Sequence, residues 1–223
     1  MTRKQAPVAD LATDRATALS LTPVSRETAA RLDRLVEALL KWQTVTNLIA
    51  PSTVPHVWTR HIADSLQLLD LAPEARTWID LGSGGGFPGL AIACALVERP
   101  GTCVHLVESN LKKAAFLREA VMLVAAPAIV HAQRIEEFVA GFRDQADVIT
   151  ARALAPLKDL LGYVAPLLKM GAQALLPKGQ DVEVELTAAA KYWIIEAALV
   201  PSKTSPRGRI MIVRRLHRRD DRG

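Results

Sequence analysis

The segment Asp80-Leu81-Gly82-Ser83-Gly84-Gly85-Gly86-Phe87-Pro88-Gly89 decides the fold of this chain. The preceding run, Thr77–Leu81, has the pattern of a buried β-strand, and five glycines follow it within eight residues. Glycine adopts positive φ angles readily and lets a ligand approach the backbone closely. In open α/β sheets, ligands bind outside the carboxyl ends of the strands. We therefore expect a nucleoside cofactor to bind at this turn.

Beyond this turn, strand-like runs alternate with segments of helical length. Such alternation indicates βαβ units and a mostly parallel sheet. The last two strands are joined only by residues 201–208, which we expect to form a flexible loop. Because this loop is too short for a crossover helix, the two strands should pair antiparallel. After Thr77–Leu81 we expect strands at 103–108, 128–131, 147–151, 171–176, 192–200 and 209–214, and helices at 88–98, 110–124, 134–142 and 156–169.

The pattern therefore predicts a Rossmann-like α/β fold with a mostly parallel seven-stranded sheet, an antiparallel last strand and an N-terminal helical cap. The cap should contain two helices, 25–42 and 53–71, because apolar residues recur there at helical spacing. The predicted organisation is a flexible extension (1–22), the helical cap (23–72), the core (73–216) and a basic tail (217–223).

Composition excludes several classes of protein. No apolar run approaches the roughly 20 residues that span a bilayer, and the N-terminus lacks the apolar block of a secretory signal. Neither Cys94 nor Cys103 belongs to a CxxC pair or a cluster with metal-ligand spacing, so we expect reduced thiols and no metal. These features predict a cytoplasmic protein that does not associate with membranes, and we take a monomer as the default.

The net charge of +5 is unevenly distributed. Residues 1–206 hold 21 Lys and Arg against 21 Asp and Glu, whereas residues 207–223 hold seven Arg against two Asp. A basic end on a neutral body suggests an anionic partner such as nucleic acid. The alternative is a solvated tail that only improves solubility.

The residues around the glycine turn favour one cofactor. Gly84-x-Gly86-x-x-Gly89 also fits the dinucleotide fingerprint, but Asp80 just before the turn would repel a pyrophosphate and attract the cationic amino acid end of S-adenosylmethionine. Phe87, followed by Pro88, places a ring and a rigid helix start over the pocket. Glu108 can accept hydrogen bonds from the ribose hydroxyls, or it can only cap the next helix. We predict S-adenosylmethionine, with a nicotinamide cofactor or a purely structural turn as alternatives.

The sequence at the end of the fourth strand limits which chemical group can accept the methyl group of S-adenosylmethionine. It reads Ile149-Thr150-Ala151-Arg152-Ala153, without the (Asp/Asn)-Pro-Pro-aromatic motif of amine methyltransferases. Neither cysteine lies where a nucleophile for pyrimidine carbon would be needed. A purine N7 is compatible because it has a free lone pair and no proton to remove, so alignment and desolvation could suffice. We assign no catalytic residue.

Several further motifs resemble the bacterial ribosomal RNA small subunit methyltransferase G family, also called GidB, over roughly residues 25–215. The resemblance implies S-adenosylmethionine-dependent N7-methylation of one guanine in 16S ribosomal RNA, with cofactor contacts at Gly82, Phe87, Ile135, Glu136 and Arg152. Gln43-Thr44 departs from the Asn-Lys usual in the family. The matching motifs are Lys41-Trp42, Asn47-Leu48, Arg60-His61-Ile62-x-Asp64-Ser65, the 80–89 turn, Lys112-Lys113-x-x-Phe116-Leu117, Arg134-Ile135-Glu136-Glu137-Phe138, Arg152-Ala153 and Lys178-Gly179.

The partner expected from this resemblance is 16S ribosomal RNA or the small ribosomal subunit. Lys178, Arg207 and Arg209 are candidate phosphate contacts, since such contacts position RNA without reading its sequence. Two pairs have no assigned role: His61 with Asp64, and Lys112 with Lys113. Each could contact a ligand or serve only packing and solvation. A small-molecule methyltransferase and a non-catalytic RNA-binding or nucleotide-sensing module remain alternative functions.

Overall fold

The computed structural model describes residues 8–219. Its centre is a seven-stranded sheet with strand order β3-β2-β1-β4-β5-β7-β6, in which β7 alone runs antiparallel to its neighbours β5 and β6. This confirms the predicted mostly parallel sheet with an antiparallel last strand. The strands are β1 (Thr77–Leu81), β2 (Cys103–Val107), β3 (Ala128–His131), β4 (Val148–Ala151), β5 (Gln173–Lys178), β6 (Trp193–Pro201) and β7 (Arg209–Arg218).

Seven regular helices accompany the sheet within the described residues, and the first and the last of them were not predicted. Side chains cap two of the helices, because Ser25 Oγ accepts from Thr28 N at 3.1 Å and Asn110 Oδ1 accepts from Lys112 N at 3.0 Å. The helices are α1 (Val8–Leu21), α2 (Arg26–Gln43), α3 (Gly89–Leu96), α4 (Leu111–Val124), α5 (Ile135–Gly141), α6 (Leu157–Lys169) and α7 (Val182–Ala189).

Both faces of the sheet are buried. Successive strand side chains point to opposite faces, so Trp78 packs in one apolar cluster with α2, α3 and α4, while Ile79 packs in the other with α5 and α6. Burial on both faces explains why β1 and β4 read as nearly continuous apolar runs. The sheet, covered by helices on both faces, holds the carboxyl ends of its parallel strands and the turns that follow them at one edge.

The N-terminal region differs from the expected flexible extension. Residues 8–21 form α1, which docks on the rest of the chain, while residues 1–7 lie outside the described part. Asp14 is buried and its Oδ2 accepts from Trp58 N at 2.8 Å, and Arg15 Nε pairs with Asp33 Oδ1 at 2.6 Å. Residues 8–21 are therefore an ordered helix and not the expected flexible segment, held by these polar contacts and by Ala18, which is buried in the core.

The second cap helix, predicted as regular over 53–71, is irregular. Residues 51–71, which we call the irregular helical segment, comprise a 3₁₀ turn (Pro51–His56), a π-type turn (Trp58–Ala63), one short α-turn (Asp64–Leu66) and a second 3₁₀ turn (Gln67–Leu71). Pro55 has no N–H to donate, and Asp14 takes the Trp58 amide. Those two features interrupt the hydrogen-bond pattern of a regular α-helix.

The C-terminal boundary also shifts. Residues 217 and 218, assigned to the basic tail, are the last residues of β7, and 220–223 lie outside the described part. Among residues 8–219, no helix has the length and apolar character needed to cross a membrane.

Candidate functional site

A cleft of about 1050 Å³ opens at the carboxyl ends of the parallel strands. That volume lies at the upper end of the roughly 300–1,000 Å³ that is usual for small-molecule and cofactor pockets. One wall is the glycine turn. The facing wall combines the irregular helical segment, the chain after β4 and β5, and the β6–β7 loop (201–208), which we call the hairpin loop.

The glycine turn is fixed by close packing. Gly82 has φ +72°, and a Cβ there would lie 2.6 Å from Leu154 Cδ1. A Cβ on Gly89 would lie 2.5 Å from Leu106 Cδ2. Gly82 N also donates to Val107 O at 2.9 Å, which ties the turn to β2. The turn therefore presents bare backbone to the cleft in one conformation.

Asp80 lies behind this turn and not on the cleft wall. Its Oδ2 accepts from Gly89 N at 3.0 Å and its Oδ1 accepts from Thr150 Oγ1 at 2.9 Å. Complete burial raises the pKa of Asp80, and these two hydrogen bonds oppose that shift. The structure thus gives Asp80 a supporting position, in which it joins the turn to α3 and β4.

Glu108 links the glycine turn to the start of α4. Its Oε2 accepts from Gly84 N at 3.0 Å and its Oε1 accepts from Asn110 N at 2.7 Å. The capping role considered from the sequence is therefore present. A carboxylate oxygen can accept more than one hydrogen bond, so Glu108 retains capacity for a ligand hydroxyl.

Arg152, just beyond β4, crosses the floor of the cleft to the irregular helical segment. Its Nη1 donates to Arg60 O at 2.8 Å and lies 3.5 Å from Asp64 Oδ2, and its Nη2 lies 2.5 Å from His61 Nδ1. The guanidinium carbon stands 5.6 Å from the centroid of the Phe87 ring, within cation–π range. Burial lowers the pKa of Arg152, while Asp64 and Asp80 oppose the shift.

The contacts of His61 determine its protonation. A guanidinium group only donates, so His61 Nδ1 accepts from Arg152 and the ring proton is on Nε2. That nitrogen donates to Thr53 Oγ1 at 2.8 Å, and the Thr53 hydroxyl donates to Ala50 O at 2.8 Å. Burial, followed by the charges of Arg152 and Arg60, lowers the pKa of His61 to about 3. His61 is therefore neutral near pH 7 with its lone pair engaged, which excludes it as a general base in this arrangement.

Asp64 connects Arg152 to the hairpin loop. Its Oδ1 accepts from Thr204 Oγ1 at 2.7 Å and from Gln67 Nε2 at 2.9 Å. The Gln67 Oε1 accepts from Lys203 N at 2.8 Å. The loop that read as flexible in the sequence is thus held against the irregular helical segment by several hydrogen bonds.

The three predicted phosphate contacts all line the cleft, but their charges differ in availability. Lys178 is only 10% exposed and its Nζ pairs with Glu185 Oε2 at 2.8 Å. Arg207 is exposed and donates to Gln180 Oε1 at 3.1 Å, and Arg209 donates to Gly208 O at 2.8 Å. Within residues 8–219, neither arginine forms an ion pair.

Besides Asp80, three predicted cofactor residues do not line the cleft: Glu108, Ile135 and Glu136. Glu136 is exposed at the start of α5, where its Oε1 accepts from Tyr163 Oη at 3.1 Å, and Ile135 packs against the core on the α6 side. Lys113 lines the cleft, whereas Lys112 does not. The structure therefore brings together Gly82, Gly84, Phe87, Arg152 and the three basic residues, and does not bring Ile135 and Glu136 into that group.

Sequence reasoning missed Thr53 and Thr150. Thr150 could have been inferred from strand pairing, because it lies opposite Asp80 in the β1–β4 register. Thr53 has no local signal, since its contact with His61 depends on the irregular turns between them. The thiols take no part in the cleft: burial raises the pKa of Cys94 to about 12 and also raises that of Cys103.

Comparison with known proteins gives consistent results. Residues 28–210 match the family model described as rRNA small subunit methyltransferase G. The chain is 61% identical, over 91% of its length and 91% of the relative's, to the ribosomal RNA small subunit methyltransferase G of Bradyrhizobium sp. strain BTAi1. It is 58% identical, over 99% of its length and 85% of the relative's, to the protein of the same name from Nitrobacter hamburgensis.

Solved structures resemble the fold at low sequence identity. An O-methyltransferase from Bacillus cereus, in complex with SAH, superposes with a TM-score of 0.58 at 17% identity over 92% of this chain and 98% of that one. A putative O-methyltransferase from Klebsiella pneumoniae gives a TM-score of 0.57 at 14% identity over 91% and 96%. These likenesses confirm the predicted Rossmann-like class I methyltransferase fold.

Proposed function

The chain belongs to the rRNA small subunit methyltransferase G family, and from that premise we propose that it methylates N7 of a guanine in 16S ribosomal RNA, with S-adenosylmethionine as methyl donor. The observation that carries the proposal is the composition of the cleft. A single cavity joins a glycine turn suited to a nucleoside cofactor to arginines suited to an RNA backbone. A small-molecule site would not need the exposed Arg207 beside the half-buried Arg209.

The described residues fit the cofactor. The bare backbone at Gly82 and Gly84 accepts a close ligand, and the Phe87 ring and the Arg152 guanidinium face the same space. Glu108 stands behind the lining, bonded to Gly84 N, and has hydrogen-bonding capacity for ribose hydroxyls. When bound, S-adenosylmethionine supplies an electrophilic methyl group. Asp80 acts indirectly by fixing the turn. For the adenine we retain the Ile135 backbone and the Glu136 carboxylate, as the family resemblance implies.

The protonation of His61 and the positions of the cysteines are compatible with a purine N7 as the acceptor. His61 is neutral, its Nδ1 accepts from Arg152, and neither cysteine lines the cavity. Methylation at a purine N7 uses an existing lone pair and removes no proton, so it needs no general base. Catalysis then depends on alignment and desolvation. Arg152, held by Arg60 O, His61 and Asp64, is the charged group positioned to orient the base.

The substrate RNA would contact the facing wall. Arg207 and Arg209 are the principal phosphate contacts because their charges are not compensated by a described carboxylate, while the pairing of Lys178 with Glu185 makes it the weaker one. Such contacts position a strand and confer salt-dependent affinity. We take the location as cytoplasmic and the enzyme as a monomer, as the sequence suggests.

The proposal is tested with radiolabelled S-adenosylmethionine, the purified chain, small ribosomal subunits and naked 16S RNA from a strain lacking the gene. We expect label in RNA, and mass spectrometry of the digested RNA to locate the methyl group on guanine N7. Label on a different atom would overturn the N7 assignment. Label only in metabolites would indicate a small-molecule enzyme, and cofactor binding without transfer would indicate a binding module.

A further inference from the structure

The surplus of basic residues near the C-terminus falls into two groups, one at each end of β7. Because β7 is antiparallel, it begins at Arg209 beside the cleft and ends at Arg218 at the opposite edge of the sheet. Nine residues of strand at about 3.4 Å each separate these two arginines by about 30 Å. Arg207 and Arg209 therefore serve the cleft, whereas the arginines from Arg214 onward cannot.

The far group is a concentration of exposed positive charge, which we call the distal basic end. Its Arg215 pairs with Glu196 at 3.6 Å, with both side chains largely exposed, and its Arg219 Nε donates to Ala190 O at 2.6 Å. Within residues 8–219, the other members have no carboxylate at ion-pair distance. The distal basic end comprises Lys191, Arg214, Arg215, Arg218 and Arg219, all of them exposed.

The distal basic end belongs to ordered structure. A β-bulge falls between Glu196 and Ala197, which pair with Arg215 and Val213 and leave Arg214 as the extra residue. A bulge locally re-aims side chains. Leu216 is buried in the core, and Arg219 N donates to Tyr192 O at 2.9 Å. These contacts argue against a frayed tail that serves only solubility.

We propose that the distal basic end is a second RNA-binding surface, which contacts the phosphodiester backbone of the same RNA whose guanine enters the cleft. The inference rests on the proposed function and extends it to a site that begins about 17 Å along β7 from Arg209, at Arg214, and reaches about 30 Å at Arg218. Arginine suits phosphate because its planar fork donates two parallel hydrogen bonds. RNA is favoured as the partner because β7 carries arginines at both of its ends, and one long RNA can contact both groups.

A consequence is that substrate size matters. A short RNA fills the cleft alone, while a long folded RNA also reaches the distal basic end. Phosphate contacts add affinity without selecting bases, so the distal contact should lower the KM for a large RNA and leave kcat unchanged. It should also steepen the salt dependence, by about 0.7–0.9 in the log–log slope for each phosphate neutralised.

The test compares Arg214→Gln/Arg218→Gln with the matched control Arg26→Gln/Arg118→Gln. All four arginines are exposed and have no described ion pair, so both variants lose the same charge. With small-subunit RNA, we expect the distal variant to raise KM about tenfold and to flatten the salt slope by about 1.5, with kcat unchanged. The control should match the wild type, and Arg214→Lys/Arg218→Lys should retain most of the affinity.

A short stem-loop that carries the target guanine provides the second arm. Its binding affinity, measured by fluorescence anisotropy, should be the same for the wild type and both Gln variants. If the distal variant keeps the wild-type KM and salt slope on the large RNA, or weakens the stem-loop equally, the second surface is refuted. If the wild-type chain methylates no RNA, the proposed function fails instead, and the anisotropy arm still reports on binding.

Discussion

The two walls of the cleft are built in different ways. The glycine wall is contiguous in sequence, from Gly82 to Gly89, and its shape depends on backbone conformation and on the absence of side chains. The facing wall is assembled from distant segments, since Asp64 bonds to Arg152 and to Thr204, 140 positions further along the chain. The first wall is specified locally, and the second exists only when the whole domain is folded.

This difference separates the consequences of mutation. Substitution in the glycine wall should reduce cofactor binding strongly, because Gly82 requires a positive φ, and a Cβ at Gly89 would meet Asp80 of β1 and Leu106 of β2. Damage to the assembled wall should be graded, because several hydrogen bonds share the task of holding the hairpin loop. It should also affect RNA more than cofactor.

The largest effect is expected for Gly82→Val. The new side chain meets Leu154 Cδ1 at 2.6 Å from Cβ alone, and the residue has to hold φ +72°, which costs a non-glycine residue about 1–2 kcal/mol. We expect the affinity for S-adenosylmethionine to fall by about 100-fold or more, which is at least about 2.7 kcal/mol. Isothermal titration calorimetry measures this loss.

Gly141→Ala is the matched control, because a Cβ at Gly141 meets no atom within 4 Å. It should bind the cofactor like the wild type. Circular dichroism should show that Gly82→Val remains folded under the titration conditions. Unchanged affinity in a folded Gly82→Val chain would show that the cofactor does not use this wall.

An intermediate effect is expected for Thr204→Val, which tests the assembled wall. Valine keeps the shape but removes the hydroxyl that donates to Asp64 Oδ1 at 2.7 Å. A lost hydrogen bond to a charged group is worth about 1.5–3 kcal/mol, and the remaining loop contacts compensate part of it. We expect the KM for RNA to rise roughly five- to tenfold, while cofactor affinity stays at the wild-type value.

Thr187→Val, on α7, serves as its control, since that hydroxyl donates only to Glu183 O within its own helix. Steady-state methylation of small-subunit RNA gives KM, and calorimetry gives cofactor affinity. A fall in cofactor affinity equal to the rise in KM would show that the two walls are not independent.

The same contrast explains what the sequence could predict. The positions of the strands and the glycine turn follow from local patterns, because the apolar runs and the turn residues lie next to one another. The irregular helical segment was predicted as a regular helix because Val54, Val57, Trp58 and Ile62 fit helical spacing. Its distortion depends on Asp14, which captures the Trp58 amide from 44 positions away, and no local pattern encodes that contact. The Thr53–His61–Arg152 chain was unpredictable for the same reason.

The smallest effect concerns the pH dependence of the assembled wall. The folded pKa of His61 is lowered to about 3, whereas an unfolded histidine titrates near 6.5. The unfolded chain therefore binds the extra proton as pH falls below 6.5, so the stability tied to neutral His61 is complete above that value and declines below it. For one proton the loss is about 0.8 kcal/mol between pH 7.5 and pH 6.

Denaturant unfolding of the wild type and His61→Asn at these two pH values isolates this contribution. His105 and His131 also have lowered pKa values, through burial, but they remain in both chains and cancel in the difference. We expect the variant to lose about 0.8 kcal/mol less than the wild type over the interval. Equal losses would mean that His61 is protonated in the folded chain near pH 6. Because a protonated ring could not accept from Arg152, that result would also break the hydrogen-bond chain on which the assembled wall depends.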